Sequence, residues 1–289
     1  MSQYNAPIRD MQFVMRELAG LDEVMQLPGN EEVSADLVDA ILEEADKFAS
    51  GVLAPLNWTG DQEGAKWSDG EVATAPGWKD AYTQFAESGW TALPCDPEYG
   101  GQGLPKLLAT AVMEMWKSAN MAFSLCPMLT SGAIEALMLR GTDEQKNLYL
   151  PKMIAGEWTG TMNLTEPNAG SDMAAITSKA ILSADGTHYV VNGQKTWSTR
   201  ASFADWLFGL FRSDPGSSRH HGLSYLAVPL DAPGVTIRPI QALNGKQAFA
   251  EIFFDDVKVP VENRIGDEGQ GWHVAMATAG FERGLLLRS

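Results

Sequence analysis

The sequence predicts an α+β protein of several domains on three observations. Apolar residues recur at helical spacing up to about residue 160. They recur at strand spacing, with turn residues between, from about Thr161, and at helical spacing again from Trp272. The expected organisation is an all-α domain over 1–160, an antiparallel β-barrel-like domain over 161–268, and over 269–289 the first helix of a C-terminal helical bundle. With 289 residues, 45% of them apolar, the chain can bury a sizeable core without disulfides or a structural metal.

The first long helix is expected over Ser34 to Ala54. There Leu37, Val38, Ile41, Leu42, Ala45, Phe48, Ala49 and Val52 share one face, opposite Glu43, Glu44 and Lys47. Pro55 is expected to end it. Asn57 to Pro76 lacks periodicity and reads as an excursion, after which Trp78 to Ser88 and Leu107 to Ser118 are helical. Thr142 and Gln145 form a capping box for a helix that Pro151 interrupts or ends.

Among the strands, Tyr189 to Thr199 reads as a hairpin turning at Asn192-Gly193, a dipeptide suited to a type I′ turn. Trp206 to Phe211, Leu223 to Val228, Val235 to Ile240 and Ile252 to Val259 follow, separated by Pro-Gly and Asn-Gly turns. The final helix stops after Leu285-Leu286-Leu287 without a cap, so the chain is expected to be the front part of a longer protein.

Charge narrows the function classes. Lys+Arg number 21 against 37 Asp+Glu, a net charge of −16, and residues 1–70 hold 14 acidic and 4 basic residues. Such a field repels phosphate backbones and anionic membranes, so no nucleic-acid partner is expected. No apolar run approaches the roughly 20 residues of a membrane span. Cys95 and Cys126 form no C-x-x-C pair and read as buried thiols in a reducing compartment. The N-terminus has neither an apolar core nor a cleavage site, which gives a cytoplasmic expectation.

Phosphate-loop, nucleophile-elbow and dinucleotide-fingerprint signatures are absent, and His220-His221 reads as a solvated turn with no metal expected. Two segments carry chemistry. Leu164 to Asp172 (Leu-Thr-Glu-Pro-Asn-Ala-Gly-Ser-Asp) falls where the helices meet the sheet and combines hydroxyl donors with small residues. Asn192 to Thr199 brings Trp197, Ser198 and Thr199 toward the same junction, one flat ring beside two hydroxyls. Taken singly, the first also fits a polar connector and the second a core tryptophan.

Together they resemble the acyl-CoA dehydrogenase family of flavoproteins. The likeness runs from about residue 30 to the end: Glu98-Tyr99-Gly100-Gly101-Gln102-Gly103, the helix from Gly141, the Thr-Glu-Pro-x-Ala-Gly-Ser-Asp run at 165–172, Asn192-Gly193-Gln194-Lys195-x-Trp197, and Glu268-Gly269-Gln270-Gly271. The extended N-terminus and the Trp58 to Trp78 segment resemble the subgroup that includes methylmercaptopropionyl-CoA dehydrogenases.

The resemblance implies FAD and an acyl-CoA substrate, with α,β-dehydrogenation to the trans-2-enoyl-CoA in fatty acid β-oxidation. It places Thr165 and the backbone at Met162 and Leu164 at the flavin ring edge, and Trp197 against the ring. Thr199 becomes a donor near the flavin N5, and Ser198 a backbone contact. Gly170 and Ser171 lie near the cofactor phosphate, Ser171 also near the substrate. The α-proton requires a carboxylate base. Glu282, in Phe281-Glu282-Arg283-Gly284, matches its position in a minority of members; in the others the base lies further downstream. An electron-transfer flavoprotein as acceptor and a homodimeric or homotetrameric assembly are likewise implied. An acyl-CoA oxidase, a flavin monooxygenase and a non-catalytic acyl-CoA-binding module remain alternatives on the same fold. Met113, Met115, Met121, Met128 and Met138 fit either an adaptable acyl-pocket wall or plain core.

Overall fold

The computed structural model describes residues 4–68 and 71–286, with the side chains of 281–286 outside the described set. Helix α1 (Ile8–Phe13) passes through a π turn to the short α2 (Leu21–Met25). Helix α3 (Ala35–Phe48) starts where the Ser34 hydroxyl accepts from the Leu37 N–H, and it turns Val38, Leu42, Ala45 and Phe48 inward.

Pro55 does not end the helical rod. A π turn over Ala49–Leu53 carries it into α4 (Ala54–Glu63), with Pro55 in the first turn of α4. The aperiodic segment therefore begins as helix. It then forms a small exposed hairpin of β1 (Lys66–Ser68) and β2 (Glu71–Ala73) before α5 (Trp78–Glu87). Gly60 lets the Trp78 indole lie against α4, since a Cβ there would stand 2.3 Å from Cζ2.

Helix α6 (Lys106–Arg140) is far longer than its periodicity suggested, because non-helical dihedrals at Asn120 turn its apolar face from one core to another. Contrary to the sequence expectation, it is long and apolar enough to cross a membrane. Its Leu108, Val112 and Met115 nevertheless fill the helical core with Leu42, Leu53 and Phe85, and its Ile134 and Leu137 fill the junction. Helix α7 (Asp143–Ile154) has the expected capping box and continues one turn past Pro151.

The sheet contains β3 (Gly160–Asn163), β4 (Lys179–Leu182), β5 (His188–Thr199), β6 (Trp206–Arg212), β7 (Leu223–Pro229), β8 (Val235–Ile240), β9 (Phe249–Pro260) and β10 (Arg264–Ile265). Its order is β10-β7-β6-β4-β5-β9-β8, with β3 on β6. Most pairings are antiparallel; β3 runs parallel to β6. Helix α8 (Gly271–Leu286) packs on α6 and β7.

Asn192-Gly193 makes no turn. Strand β5 runs straight through it because β9 pairs with both halves, and the extra length appears as a register shift between Val191 and Gly193. Asn192 and Asp256 bridge the strands there, Asn192 Nδ2 donating to Asp256 Oδ1 at 2.9 Å and accepting from the Asp256 N–H at 3.0 Å.

The junction core between the layers also sets Tyr149, Leu150 and Met153 against Phe208, Leu210, Tyr225 and Val274. Gln145 joins the two layers directly, donating through Nε2 to the carbonyls of Glu262 at 2.6 Å and Arg264 at 2.7 Å.

Candidate functional site

Strands β3 and β5 bring the two chemistry-bearing segments together. The Thr161 hydroxyl donates to the Thr199 carbonyl at 2.9 Å, the Asn163 side chain donates to the Ser198 hydroxyl, and the Thr196 N–H donates to the Thr165 carbonyl at 2.9 Å. Met162, Leu164 and Thr165 thus lie beside Trp197, Ser198 and Thr199.

A second register shift, between Lys195 and Ser198, places Trp197 on a bulge. Its φ is 59°, a left-handed conformation that costs a bulky residue about 1–3 kcal/mol. Trp197 is 57% exposed, and its indole makes a T-shaped contact with Phe249, ring centroids 5.9 Å apart at 79°. An exposed ring in a strained backbone contributes little to folding, and such outliers concentrate at ligand sites. Trp197 is therefore not the core tryptophan its strand context allowed.

Ser198 faces the other way: its side chain is buried and its hydroxyl is engaged by Asn163. The expected pair of hydroxyls beside the ring reduces to Thr199, half-buried at the end of β5. Gly170 and Ser171 are exposed on the loop after β3, and a Cβ on Gly170 would meet nothing within 4 Å. Nothing within the chain demands glycine there. Glu282 lies in α8, but its side chain is outside the described residues.

Sequence reasoning assigned no role to Glu166 and Lys195. Lys195 is fully buried with Nζ 2.8 Å from Glu166 Oε1, and it also donates to the Leu210 carbonyl at 2.6 Å. Glu166 accepts further from the Thr177 N–H and hydroxyl and from the Ser178 N–H. Burial pushes the Lys195 ammonium down to about 8 against the pull of Glu166. Burial acts to raise the Glu166 carboxyl, but the Lys195 charge and the donors around it outweigh this and hold it below the ordinary value. The signal was in the strand alternation: Tyr189, Val191 and Lys195 share one phase of β5.

Two cavities are lined by the helical layer. One of about 650 Å³ lies within the helical layer, lined in part by Met113, Met128 and Met138. Met115 is plain core and Met121 is exposed, so only three of the five methionines offer an adaptable wall. The other, of about 420 Å³, lies between the helices and the end of β5, with Thr161 and Thr199 in its wall.

A helical layer packed on a sheet, with the strained and exposed Trp197 on β5 beside the loop after β3, defines a two-layer α+β scaffold. Residues 36–157 match the acyl-CoA dehydrogenase N-terminal domain and residues 161–257 the acyl-CoA dehydrogenase middle domain. The chain belongs to the acyl-CoA dehydrogenase family, of which it carries these two domains.

It is 45% identical over 196 residues to a 3-methylmercaptopropionyl-CoA dehydrogenase of Ruegeria pomeroyi, covering 68% of this chain and 33% of that protein. It is 40% identical over 209 residues to acyl-CoA dehydrogenase IpdE1 of Mycolicibacterium smegmatis, covering 70% and 53%. The solved structure of an acyl-CoA dehydrogenase complexed with FAD from Bacillus anthracis superposes with a TM-score of 0.72 at 27% identity, covering 91% of this chain and 44% of that one. The chain thus spans between a third and just over half the length of these relatives.

Proposed function

We propose that the complete protein is an FAD-dependent acyl-CoA dehydrogenase that converts an acyl-CoA thioester to the trans-2-enoyl-CoA. The observation that carries the reading is Trp197, an exposed indole held in a left-handed bulge beside Thr199 and Thr165. A planar ring system suits this surface, because Trp197 is 57% exposed and its ring meets Phe249 in a T-shaped contact that leaves much of the indole uncovered.

Bound flavin supplies a two-electron acceptor for the hydride leaving Cβ. Trp197 packs against its ring. Thr165 and the backbone at Met162 and Leu164 orient its edge, and the Thr199 hydroxyl donates where negative charge develops. Gly170 and Ser171 meet its phosphate and the pantetheine of the substrate, and Ser198 contributes backbone only. Either Glu282 or a carboxylate downstream takes the α-proton. The cavity at Met113, Met128 and Met138 takes the acyl chain, since flexible thioether walls adapt to its shape. An electron-transfer flavoprotein as acceptor, a place in β-oxidation, a cytoplasmic location and a dimeric or tetrameric assembly complete the proposal.

The test is the visible spectrum of the purified chain with added FAD, before and after a panel of acyl-CoA thioesters. A bound-flavin spectrum that bleaches with one acyl group supports dehydrogenation. Rapid oxygen consumption in the same mixture favours an oxidase or monooxygenase. Flavin binding without bleaching, in a protein that includes residues beyond 289, leaves only an acyl-CoA-binding module.

A further inference from the structure

The 420 Å³ cavity has a charge pattern that the flavin reading does not use. Its walls are aromatic and aliphatic, with Trp78 and Tyr82 from α5, Phe123 and Leu129 from α6, and Phe203 after β5. Arg200 and Lys79 also line it, and no Asp or Glu among the described residues does, although the chain carries a net charge of −16.

Arg200 directly follows Thr199 and has a left-handed φ of 54°. Its side chain makes one hydrogen bond, from Nη2 to the Ala122 carbonyl at 3.2 Å, and lies 5.8 Å from the centre of the Phe203 ring. No carboxylate pairs with it among the described residues. The nearby Asp205 accepts through Oδ2 from the Thr159 N–H at 2.7 Å and the Thr159 hydroxyl at 2.9 Å and makes no ion pair with Arg200. Burial lowers the Arg200 pKa from its ordinary value, opposed only in part by the neighbouring Cys126.

A half-buried guanidinium paired with no carboxylate among the described residues is costly, and most of its five N–H donors stay available for the two-pronged geometry that suits a carboxylate. We infer that this cavity binds a carboxylate carried on an apolar body, with Arg200 as its counter-ion and Lys79 at the rim. The apolar walls disfavour a bare inorganic anion. Two sources share this chemistry: a free alkanoic acid, or the far end of an acyl thioester that ends in a carboxylate. The cavity shares Thr199 with the flavin reading, but the inference rests on Arg200, which that reading does not use, so its failure leaves the flavin reading untouched.

The test is a calorimetric titration of the chain at pH 7 with octanoate and with octan-1-ol. Octanoate should bind at least tenfold more tightly, Arg200→Met should erase the difference, and Arg200→Lys should keep part of it. A second readout needs no variant: Cys126 lines this cavity and Cys95 the other, so octanoate should slow alkylation of Cys126 and spare Cys95. The source is read by comparing octanoyl-CoA with the monothioester of octanedioic acid. A tenfold Arg200-dependent gain for the second alone assigns the carboxylate to the substrate, and a gain for free octanoate alone assigns it to a separate ligand. Equal binding of octanoate and octanol, with no Arg200 dependence in the thioester pair, would overturn the inference.

Discussion

Lys195 Nζ lies 2.8 Å from Glu166 Oε1 with both side chains buried, two residues before Trp197 on the same strand. The pair joins the loop after β3 to β5 and fixes the strand from which the exposed indole projects. Removing one partner strands a buried charge, so Lys195→Met should cost about 3–5 kcal/mol in urea denaturation. The double variant Glu166→Gln, Lys195→Met should recover part of that loss. Because Glu166 is held below its ordinary value, its contribution is present at neutral pH and lost as pH falls through the lowered value. A Lys195→Met protein as stable as wild type would remove the pair from this role.

The strain at Trp197 separates stability from binding. Trp197→Gly removes a side chain that is 57% exposed and relieves a φ of 59°, so the melting temperature should hold or rise. Retention of FAD, measured by absorbance after gel filtration of the complete protein, should fall. A melting temperature several degrees lower, with FAD content unchanged, would make Trp197 structural.

Most of this arrangement was legible in the sequence. Apolar spacing located α3, α5 and the strands from Trp206 to Val259, and the capping box at Thr142 is present as expected. Local chemistry misled at Asn192-Gly193, where a turn-forming pair was overruled by a partner strand 60 residues away in sequence. It misled again at Pro55, which the rod accommodates directly after a π turn. The long α6 was hidden because Asn120 rotates its apolar face midway, so no single stripe spans it. The roles of Lys195 and Arg200 depend on which groups surround them in space, and strand phase announces only the burial of the first.

Burial pushes the thiols of both Cys95 and Cys126 up to about 11. The thiolate is the reactive form, so at pH 8 the reactive fraction is roughly a hundredfold below that of an ordinary thiol. Iodoacetamide labelling followed by mass spectrometry should be slow at pH 8 and accelerate up to pH 11. Rapid labelling of either residue at pH 7 would contradict the burial assigned to it.

Gly101 tests close packing around the loop that leads into α6. A Cβ there would stand 2.0 Å from the Cys95 carbonyl oxygen, which itself accepts from the Gly103 N–H at 2.9 Å. Backbone cannot move aside cheaply, so Gly101→Ala should destabilise by about 1–3 kcal/mol. Gly100→Ala meets no neighbour within 4 Å and is strained only by its φ of 92°, so the two variants compare crowding with backbone conformation.

Gln145 performs two tasks that one substitution can separate. Its Oε1 accepts from the Thr142 N–H at 3.0 Å, closing the capping box, while its Nε2 donates to the carbonyls of Glu262 and Arg264. Gln145→Glu keeps the acceptor but sets a carboxylate oxygen against two carbonyls, replacing two attractions by repulsion in a buried site. Thr142→Ala removes only the cap, at a cost of about 1 kcal/mol. If the bridge between layers is the larger contribution, Gln145→Glu should lower stability well beyond Thr142→Ala at pH 7. Lowering the pH should then narrow the gap, because the protonated carboxyl regains one donor for a carbonyl. A gap that stayed constant from pH 7 to pH 4 would show that the Nε2 bonds do not hold the layers together.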